Sequence, residues 1–494
     1  MSNGWSISSM NTASVKAAEV SRLVIVGGGI AGLSAAWYAR KESREQGVDL
    51  HITVLEASDR WGGKIYTEQV DSGNDTPLIL ELGADAFLTR KPWALELARE
   101  LGLDNRIQGV NTANSRTFVL YHGTPVPLPD GLQLLVPTKL LPFLRSPLFS
   151  WRGKLRIMLE RFIPRRAGQG DETLAAFVRR RLGAEALDKL AEPLLAGVYN
   201  AEPERQSMQA TFPQFPMLEQ QYGSLMRGIR ATRDKRSTPP TIPPFISFKT
   251  GAHELIEALV SQLDADLRLN SAVERIQKEG DHYTLALTNS ETLRSGIVVF
   301  ATPANITAEL LSESVPQAAA RLREIRYASI GTIYLSYRRE DVPHPLDGFG
   351  VVIPSSEGRH IDGITWTSSK WAGRAPSDQV LLRVFFGGPH TRAIFGMNDA
   401  DLCALAHEEL GSLLGIKMQP VCAHVFRWFE GYPQYDLGHL DRVAAIESSL
   451  PPGLFVTGSS YRGVGVPDCI RQGQEVAQQV ITELTQRKTG VVQT

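Results

Sequence analysis

The most constraining feature of the sequence is a glycine-rich turn near its beginning, Gly27–Gly32, between a short apolar run and a helical pattern. Leu23–Val26 has the composition of a buried parallel strand, and Ile30–Arg40 carries Ala and Leu at helical spacing. His51–Leu55 then predicts a second strand. The pattern therefore predicts a βαβ unit with a right-handed crossover and a ligand site at the carboxyl ends of its strands.

The spacing of the glycines in this turn is that of a dinucleotide-binding fingerprint. Gly27 permits a tight bend, Gly29 lets a pyrophosphate approach the backbone, and Gly32 allows the helix to pack on the strand. A phosphate would then lie on the helix N-terminus. Glu56, at the end of the second strand, is placed to bind both ribose hydroxyls and would repel the 2′-phosphate of NADP. The motif alone leaves NAD open, and a tight loop without a ligand is the other interpretation.

The residues after Glu56 turn the prediction towards a flavin. Glu56–Lys64 resembles the ExxxRxGG motif of the flavoproteins that include amine oxidases, carotenoid desaturases and porphyrinogen oxidases. Its paired glycines let the backbone run close to a flat or phosphorylated ligand, and Arg60 and Lys64 would compensate the charge of that ligand. The alternative for these two cations is a solvated surface pair.

Further segments narrow the resemblance to one family. In their order along the chain they resemble the protoporphyrinogen/coproporphyrinogen oxidase family, and particularly its Gram-positive bacterial branch. The segments are Glu81–Phe87, Glu192–Tyr199, Phe212–Phe215, Pro433–Tyr435, Gly438–His439 and Gly458–Ile470. The resemblance runs from about Arg22 to the C-terminal helix.

The resemblance implies an α/β fold with an FAD-binding Rossmann-like domain of the p-hydroxybenzoate hydroxylase type, a mixed-sheet substrate domain and a helical membrane-associating lobe. The pattern agrees, because it is mainly helical from Trp93 to about Ala210, with a helical segment at Leu174–Leu190, and β-rich from about Ile306 to Arg427. Ala231–Pro244 is predicted to be a surface connection. We predict a flexible tail at 1–20, an FAD-binding domain at 21–92, 246–305 and 425–494, a helical lobe at 93–210, and a substrate domain at 211–245 and 306–424.

The same resemblance implies an FAD-dependent oxidoreductase of haem biosynthesis. It would remove six electrons from coproporphyrinogen III to give coproporphyrin III, with molecular oxygen as acceptor and hydrogen peroxide as product. Protoporphyrinogen IX is the alternative substrate, and the branch favours coproporphyrinogen. The flavin ring would accept hydride, so we expect no catalytic side chain. A further expected partner is the next enzyme of the haem pathway, to which the porphyrin would be handed over.

The family's ligand contacts carry over residue by residue. The positions that match its FAD contacts are Gly27, Gly28, Gly29, Ile30, Ala31, Gly32, Glu56, Ala57, Arg60, Gly63, Lys64, Gly83, Ala84, Asp85, Ala86, Val273, Trp428, Gly458, Val464, Gly465 and Val466. The positions that match its substrate cavity are Lys91, Arg116, Phe349, Gly350, Val352, Trp366 and Phe385. By residue type alone, the cations also suit a solvated surface and the aromatic positions a strand core.

Composition and charge exclude several classes of function. Fifty-two basic and fifty-three acidic residues leave a net charge of −1, so no global field draws the chain to nucleic acid. The three cysteines form no CxxC pair and the ten histidines no metal-binding pattern, so we expect no metal and a reducing, cytoplasmic location. Leu132–Trp151 is too interrupted to span a membrane, but together with nearby arginines it would suit peripheral contact with an anionic bilayer. Those arginines are Arg161, Arg165, Arg166 and Arg179–Arg181.

Two rival interpretations remain on the sequence. An amine oxidase or carotenoid desaturase would share Gly27–Gly63 but would need an aromatic amine cage or a long apolar tunnel, and Gly458–Ile470 argues against both. A flavin-free binding protein on the same fold, which the Rab GDP-dissociation inhibitors resemble, would not need the intact glycines or Glu56.

Overall fold

The computed structural model describes residues 22–73, 75–133, 135–168, 170–234 and 242–489. The predicted tail at 1–20, and residues 235–241 of the predicted surface connection, lie outside them.

The predicted βαβ unit forms the centre of a parallel sheet. The five strands, in spatial order, are Asp266–Arg268, His51–Leu55, Arg22–Val26, Ile297–Phe300 and Leu454–Val456. Apolar cores lie on both faces of this sheet, which explains why its strands are almost continuously apolar. Four helices cover one face: Ile30–Glu45, Trp93–Glu100, Glu254–Gln262 and Val466–Thr489. The other face is covered by an antiparallel sheet of Val273–Glu279, His282–Leu287 and Thr292–Ser295, and by the helices Ala304–Leu310, Pro316–Arg323 and His439–Ser449.

A second large sheet lies beside the first. Its seven strands, in spatial order, are Cys422–Pro433, Tyr327–Arg338, Gln379–Phe386, Gly363–Trp366, Gly350–Val352, Thr117–Tyr121 and Thr124–Pro127. The helix Asp399–Leu414 packs on one face through a continuous apolar core, and the short helix Thr367–Lys370 follows the fourth strand. Small sheets lie nearby: Thr67–Val70 pairs with Leu78–Glu81, Phe245–Phe248 pairs with Phe87–Leu88 and Ile107–Gly109, and Leu132–Gln133 pairs with Val136–Pro137.

A helical lobe with its own apolar core flanks the second sheet. Its helices are Leu140–Arg145, Trp151–Met158, Leu174–Arg181, Ala184–Ala186, the π-helical Leu187–Ala196, Gly197–Tyr199, Met208–Thr211, Gln214–Tyr222 and Leu225–Asp234. The segment predicted as one helix at Leu174–Leu190 is interrupted at Gly183, whose φ of +97° does not continue a right-handed helix. Short 3-10 turns complete the chain at Asp104–Arg106, Thr112–Asn114, Leu159–Phe162, Arg339–Asp341, Ser355–Glu357 and Arg392–Gly396.

The structure differs from the predicted organisation in three places. Residues 107–137, predicted to be mainly helical, contain several short strands, of which Thr117–Tyr121 and Thr124–Pro127 belong to the seven-stranded sheet. The helices within 214–234 pack in the core of the helical lobe rather than on that sheet. The predicted boundary at 424/425 falls inside the strand Cys422–Pro433. In each place the outcome is decided by pairing or packing with distant residues, which local sequence patterns do not record.

Candidate functional site

The glycine turn is shaped by close backbone contacts on one side and open space on the other. A Cβ atom added at Gly32 would lie 2.0 Å from the carbonyl oxygen of Gly27, and Gly27 itself has a φ of +111°. These two glycines let the helix Ile30–Glu45 press on the first strand. At Gly29, by contrast, an added Cβ would have one neighbour within 4 Å among the described residues, the Cα atom of Gly63 at 3.9 Å. The helix N-terminus therefore has an open approach that a phosphate would fit.

The carboxylate of Glu56 is fixed beside this turn. One oxygen, Oε2, accepts a hydrogen bond from the backbone N–H of Gly28 (2.7 Å). The other, Oε1, accepts from the N–H and the hydroxyl of Ser58 (2.9 and 2.8 Å). Each carboxylate oxygen can accept more than one hydrogen bond, so the group is oriented and still has acceptor capacity for ribose hydroxyls. Ala57, next in the chain, is exposed.

The second glycine pair brings the flavoprotein-like segment onto the turn. Gly62 and Gly63 have φ values of +103° and +55°, and the N–H of Gly62 donates to the carbonyl of Gly28 (2.9 Å). The Arg60 guanidinium lies over the Tyr66 ring, 4.1 Å from its centroid. Its Nη1 atom is buried and has no hydrogen-bond partner among the described residues. Arg60 is therefore no solvated surface group, and an anionic ligand would satisfy it.

Lys64 faces the beginning of the C-terminal helix. Burial lowers the pKa of its ammonium to about 8, and the nearby Cys469 thiol partly offsets this effect. Within the described ranges no carboxylate lies within ion-pair distance of Lys64, so a bound anion would favour its charged form. Burial, followed by the charge of Asp468, raises the pKa of Cys469 to about 12. The Cys469 thiol is therefore protonated at neutral pH and has no nucleophilic character.

The loop that precedes the C-terminal helix is held by residues from a distant motif. The Tyr435 hydroxyl accepts a hydrogen bond from Gly463 N–H and donates one to the carbonyl of Ser459, both at 2.8 Å. Its ring stacks on His439, with centroids 3.9 Å apart. Burial lowers the pKa of His439 to about 4, so the imidazole is neutral and donates from Nε2 to the carbonyl of Tyr461 (2.8 Å). The two motifs at 433–439 thus position the loop, a role that the sequence analysis did not foresee.

The loop that contains Gly458, Val464 and Gly465, which are predicted to contact the cofactor, begins beside the helix Ile30–Glu45. Gly458 has a φ of +114° and lies above Ala31, since a Cβ atom added at Gly458 would be 3.5 Å from that of Ala31. Val464 and Gly465 are half-buried, and Val466 begins the C-terminal helix. Val273 lies two residues after Ser271, whose N–H donates to the carbonyl of Glu56 (2.8 Å), and packs half-buried against the second core of the parallel sheet.

The segment Gly83–Ala86 lies against the backbone of Lys64, but the side chain of Asp85 binds elsewhere. A Cβ atom added at Gly83 would be 1.8 Å from the carbonyl oxygen of Lys64, which explains the glycine. The Asp85 carboxylate instead binds Lys370, with Nζ 2.6 Å from Oδ2. Burial alone would raise the pKa of Asp85, but Lys370 and then Arg383 hold it well below its usual range. A contact of Asp85 with a cofactor would therefore be made by its backbone.

One face of the seven-stranded sheet meets these cofactor segments, and we call it the site face. Strand pairing places its side chains in two adjacent rows. The first row is Val352, Gly363, Phe385 and Thr332, and the second is Gly350, Thr365, Arg383 and Tyr334. Trp428, on the edge strand, donates from Nε1 to the carbonyl of Leu82 (2.7 Å). Arg383 donates from Nη2 to the carbonyl of Gly83 (3.0 Å). The sheet and the cofactor segments therefore border one common space.

Trp366 does not belong to that space. It lies in the core beneath the sheet, fully buried, with its ring centroid 5.3 Å from that of Phe118. Alternate residues of a strand point to opposite faces, so Ile364 and Trp366 point into this core while Thr365 points to the site face. The prediction of Trp366 as a cavity wall is therefore wrong. Phe349 immediately precedes the strand Gly350–Val352, and its carbonyl accepts from the N–H of Trp366 (2.9 Å).

Both predicted substrate cations are already paired. Lys91 Nζ lies 2.5 Å from Oδ2 of Asp468, in the first turn of the C-terminal helix. Arg116 Nη1 lies 3.1 Å from Asp347, and two-thirds of its side chain (67%) is exposed. Lys91 thus lies beside the C-terminal helix, and Arg116 lies next to Phe349, whose N–H donates to the Arg116 carbonyl (2.7 Å); we call these two groups the rim cations.

Arg383 and Thr332 also lie at the site, although neither was predicted from the sequence. On the site face, Arg383 is two residues before Phe385 in the same strand, and Thr332 pairs with Phe385 from the neighbouring strand. Each has a buried polar atom without a partner among the described residues: Nε of Arg383 and Oγ1 of Thr332. Strand parity was the available signal, because Arg383 is two residues before Phe385 in an alternating strand.

The chain matches known proteins along nearly its whole length. The model of the flavin-containing amine oxidoreductase family matches residues 30–481. The coproporphyrinogen III oxidase of Bacillus subtilis is 36% identical over 470 residues, which cover 94% of this chain and 98% of that protein. Protoporphyrinogen oxidase 2 of Arabidopsis thaliana is 27% identical over 506 residues, covering 95% of this chain and 96% of that protein. The crystal structure of an Exiguobacterium protein assigned as a protoporphyrinogen oxidase superposes with a TM-score of 0.82 at 31% identity, covering 94% of this chain and 99% of that one.

Proposed function

The chain belongs to the flavin-containing amine oxidoreductases and, within them, to the porphyrinogen oxidase family, so it is an FAD-dependent oxidoreductase; on that premise we propose that it oxidises coproporphyrinogen III to coproporphyrin III. Six electrons leave the substrate in three two-electron steps and pass to three molecules of oxygen, which become hydrogen peroxide. The observation that carries the choice of substrate is the 36% identity to the B. subtilis coproporphyrinogen III oxidase over nearly both full lengths.

The geometry of the cofactor segments fits FAD. Gly27–Gly32 would hold the pyrophosphate at the helix N-terminus, Glu56 the ribose hydroxyls, and Arg60 a phosphate oxygen through its unpartnered Nη1. Lys64 and the loop before Val466 would border the flavin ring of the bound FAD. FAD, when bound, supplies the hydride acceptor for each oxidation step.

The chain's own residues bind the substrate and exclude water. The half-buried Phe385 and Val352 on the site face offer apolar walls for a greasy macrocycle, while Lys91 and Arg116 offer cations for propionates at the rim. Each rim cation would have to exchange or share its present carboxylate partner. We propose no side chain as proton donor or acceptor in the reaction.

The test is oxidation of both porphyrinogens by purified enzyme under air. We expect a yellow, FAD-loaded protein whose kcat/KM is higher for coproporphyrinogen III than for protoporphyrinogen IX, with about three hydrogen peroxide molecules released per porphyrin formed. A higher kcat/KM for protoporphyrinogen would make that compound the substrate. Absence of flavin absorbance, or of oxidation of either compound, would contradict the proposal.

We also propose that the helical lobe touches an anionic membrane surface in the cytoplasm. None of the helices in the described ranges is both long and apolar enough to cross a bilayer. Large apolar side chains nevertheless protrude from the lobe, with Trp151 72% and Phe162 70% exposed. Leu140, Leu141, Leu155 and Leu159 are exposed nearby, and so are the cations Lys139, Arg145, Arg152, Arg161 and Arg165. Exposed apolar area rimmed by cations is the usual composition of a peripheral membrane contact.

The remaining predicted arginines do not contribute to this surface. Arg180 pairs with Glu172 and Glu219, and Arg181 with Glu160, inside the lobe. Arg166, 3.8 Å from Glu172, and the half-exposed Arg179, which pairs with Glu204, are also engaged by carboxylates. The list of membrane-facing arginines from the sequence is thereby reduced to Arg161 and Arg165, joined by others that the pattern did not single out.

Sedimentation with liposomes tests the membrane proposal. The enzyme should bind vesicles containing phosphatidylglycerol at low salt and be released at high salt. Trp151→Ser together with Phe162→Ser should remove most of the binding, while Met418→Ser, which changes an apolar side chain that is also exposed on another part of the protein (56%), should leave it unchanged. Equal binding by all variants would refute the assigned surface.

A further inference from the structure

The site face contains a third cation, Arg383, in addition to the rim cations Lys91 and Arg116. Resting on the proposed function, we infer that Arg383 forms a carboxylate-binding subsite inside the porphyrinogen cavity, separate from the rim cations. Its ligand would be a propionate that coproporphyrinogen III has and protoporphyrinogen IX lacks.

Arg383 is a buried cation that forms no direct ion pair among the described residues, because Asp85, whose charge it feels, is bound by Lys370. Only 6% of the residue is exposed, and in the described part of the chain no carboxylate oxygen lies within 4 Å of its guanidinium. Among the described residues its one hydrogen bond goes to the carbonyl of Gly83, and its buried Nε atom has no partner there. A buried cation that remains unpaired is strongly destabilising, so this position favours the arrival of an anion.

The neighbouring groups are already engaged. The Asp85 carboxylate is bound by Lys370 at 2.6 Å and also accepts from Trp371 Nε1 at 3.4 Å. The Tyr334 hydroxyl donates to the carbonyl of Glu81 (2.9 Å). Two cations, Lys370 and Arg383, therefore share one carboxylate, which leaves one positive charge in excess between the sheet and the cofactor segments.

The position of Arg383 directs this charge to the macrocycle. In the strand Gln379–Phe386 it lies two residues before Phe385, and its guanidinium carbon is 4.7 Å from the centroid of that ring. Thr332, opposite Phe385 on the neighbouring strand, offers a second unpartnered polar atom, Oγ1. A planar guanidinium beside an apolar wall matches the two oxygens of a carboxylate attached to a greasy ring.

The chemistry of the two porphyrinogens makes this subsite a determinant of specificity. Coproporphyrinogen III has four propionates, whereas protoporphyrinogen IX has two propionates and two vinyl groups. The two cations at the rim suffice for two carboxylates. A third cation within the cavity would favour the tetracarboxylate and would oppose a vinyl group, which leaves the cation unpaired.

The experiment compares binding of two porphyrins to the FAD-loaded enzyme and to Arg383→Met. The probes are coproporphyrin III, with four propionates, and mesoporphyrin IX, with two propionates and two ethyl groups, titrated by porphyrin fluorescence. Arg383→Met should weaken coproporphyrin III binding about 10- to 100-fold and change mesoporphyrin IX binding less than about threefold. Arg383→Lys keeps the charge but not the planar pair of donors, and should give an intermediate loss. The matched control is Arg338→Met, which changes an exposed arginine at the end of the adjacent strand.

The outcomes separate this inference from the proposed activity. Equal losses for both porphyrins, or loss of FAD from Arg383→Met, would mean that Arg383 only supports the Gly83 segment and would overturn the subsite. Unchanged binding of both would overturn it as well. Because the titration needs no turnover, a wild-type enzyme that binds coproporphyrin III selectively through Arg383 but oxidises neither porphyrinogen would refute the proposed activity and leave the subsite standing.

Discussion

The glycine turn and the site face differ in how far their polar groups are already hydrogen-bonded before a ligand binds. At the turn, close backbone contacts fix the shape, and both oxygens of the Glu56 carboxylate already have partners. On the site face the shape comes from side chains, and the polar atoms of Arg383 and Thr332 have no partners within the described residues. The turn is therefore shaped by its own backbone, whereas the site face has polar side-chain atoms that a ligand would satisfy.

This difference matches the residence times that the two ligands need. A cofactor that stays through many turnovers is best held by groups that are already oriented, because little ordering remains to oppose its binding. A substrate must enter the pocket and leave it as product. A pocket whose polar atoms lack hydrogen-bond partners suits it, because the pocket then selects the molecule that supplies those partners.

The largest effect is expected from filling the turn with Gly29→Val. Because, among the described residues, only the Cα atom of Gly63 lies within 4 Å of the added Cβ position, the variant should fold. The valine would occupy the approach of the pyrophosphate, so FAD occupancy should fall below about one tenth of the wild-type value. Flavin absorbance relative to protein absorbance measures the occupancy. Gly396→Val is the matched control, because none of the described non-neighbouring residues lies within 4 Å of a Cβ atom added at this exposed glycine. Full flavin occupancy in Gly29→Val would contradict our placement of the site.

A smaller effect, on stability, should separate the two faces of the sheet. Trp366→Ala removes a fully buried ring from the core and should lower the free energy of unfolding by about 3–5 kcal/mol with little change in KM at permissive temperature. Phe385→Ala removes a half-buried ring from the site face and should mainly raise KM. Thermal unfolding followed by circular dichroism measures the stability of both variants, and steady-state kinetics measures their KM. A larger loss of stability in Phe385→Ala, with a larger rise in KM in Trp366→Ala, would contradict our assignment of the faces.

A third effect, of about tenfold, should appear in the pH dependence of FAD binding. The Lys64 ammonium has a pKa of about 8 because of burial, and an anionic ligand nearby would raise it. Binding then takes up a proton above that pKa, so FAD affinity should fall about tenfold from pH 7 to pH 9. Titration of the apoprotein with FAD measures this, and Lys64→Met should have a flat profile over the same range. A flat wild-type profile would remove Lys64 from the vicinity of the bound cofactor.

The smallest effect is expected at the rim. Arg116 is two-thirds exposed and is already paired with Asp347, so Arg116→Ala should raise KM for coproporphyrinogen III by no more than about fivefold, with kcat changed less. Increased ionic strength should reduce the difference between variant and wild type. Identical kinetics for both proteins would exclude Arg116 from substrate binding.

The sequence was most informative where backbone sterics dictate the residue. Gly27, Gly32 and Gly83 each lie where a Cβ atom would collide with a carbonyl within 3.0 Å, and such positions can be recognised from glycine spacing and from family resemblance. The parallel strands were predicted well for a similar reason, because burial on both faces leaves a continuous apolar run.

The sequence was least informative where distant pairing decides the outcome. The strand Thr117–Tyr121 pairs in parallel with Gly350–Val352, more than two hundred residues away, and local patterns do not encode such a contact. The face occupied by Trp366 depends on register, which changes with a shift of one residue. Strand parity places Arg383 on the same face as Phe385, but only the structure shows that none of the described carboxylates lies within ion-pair distance of it.

The C-terminal helix has a consequence for how the molecule is made. It packs on the first helix so closely that a Cβ atom at Gly473 would lie 2.8 Å from the carbonyl oxygen of Ala31, and the parallel sheet acquires its edge strand only at Leu454–Val456. The glycine turn therefore leaves the ribosome roughly 20 to 90 s before the residues that cover it, at ordinary rates of synthesis. During that interval the apolar face of the helix Ile30–Glu45 lacks its C-terminal partner, and the segments that border the glycine turn are not yet assembled.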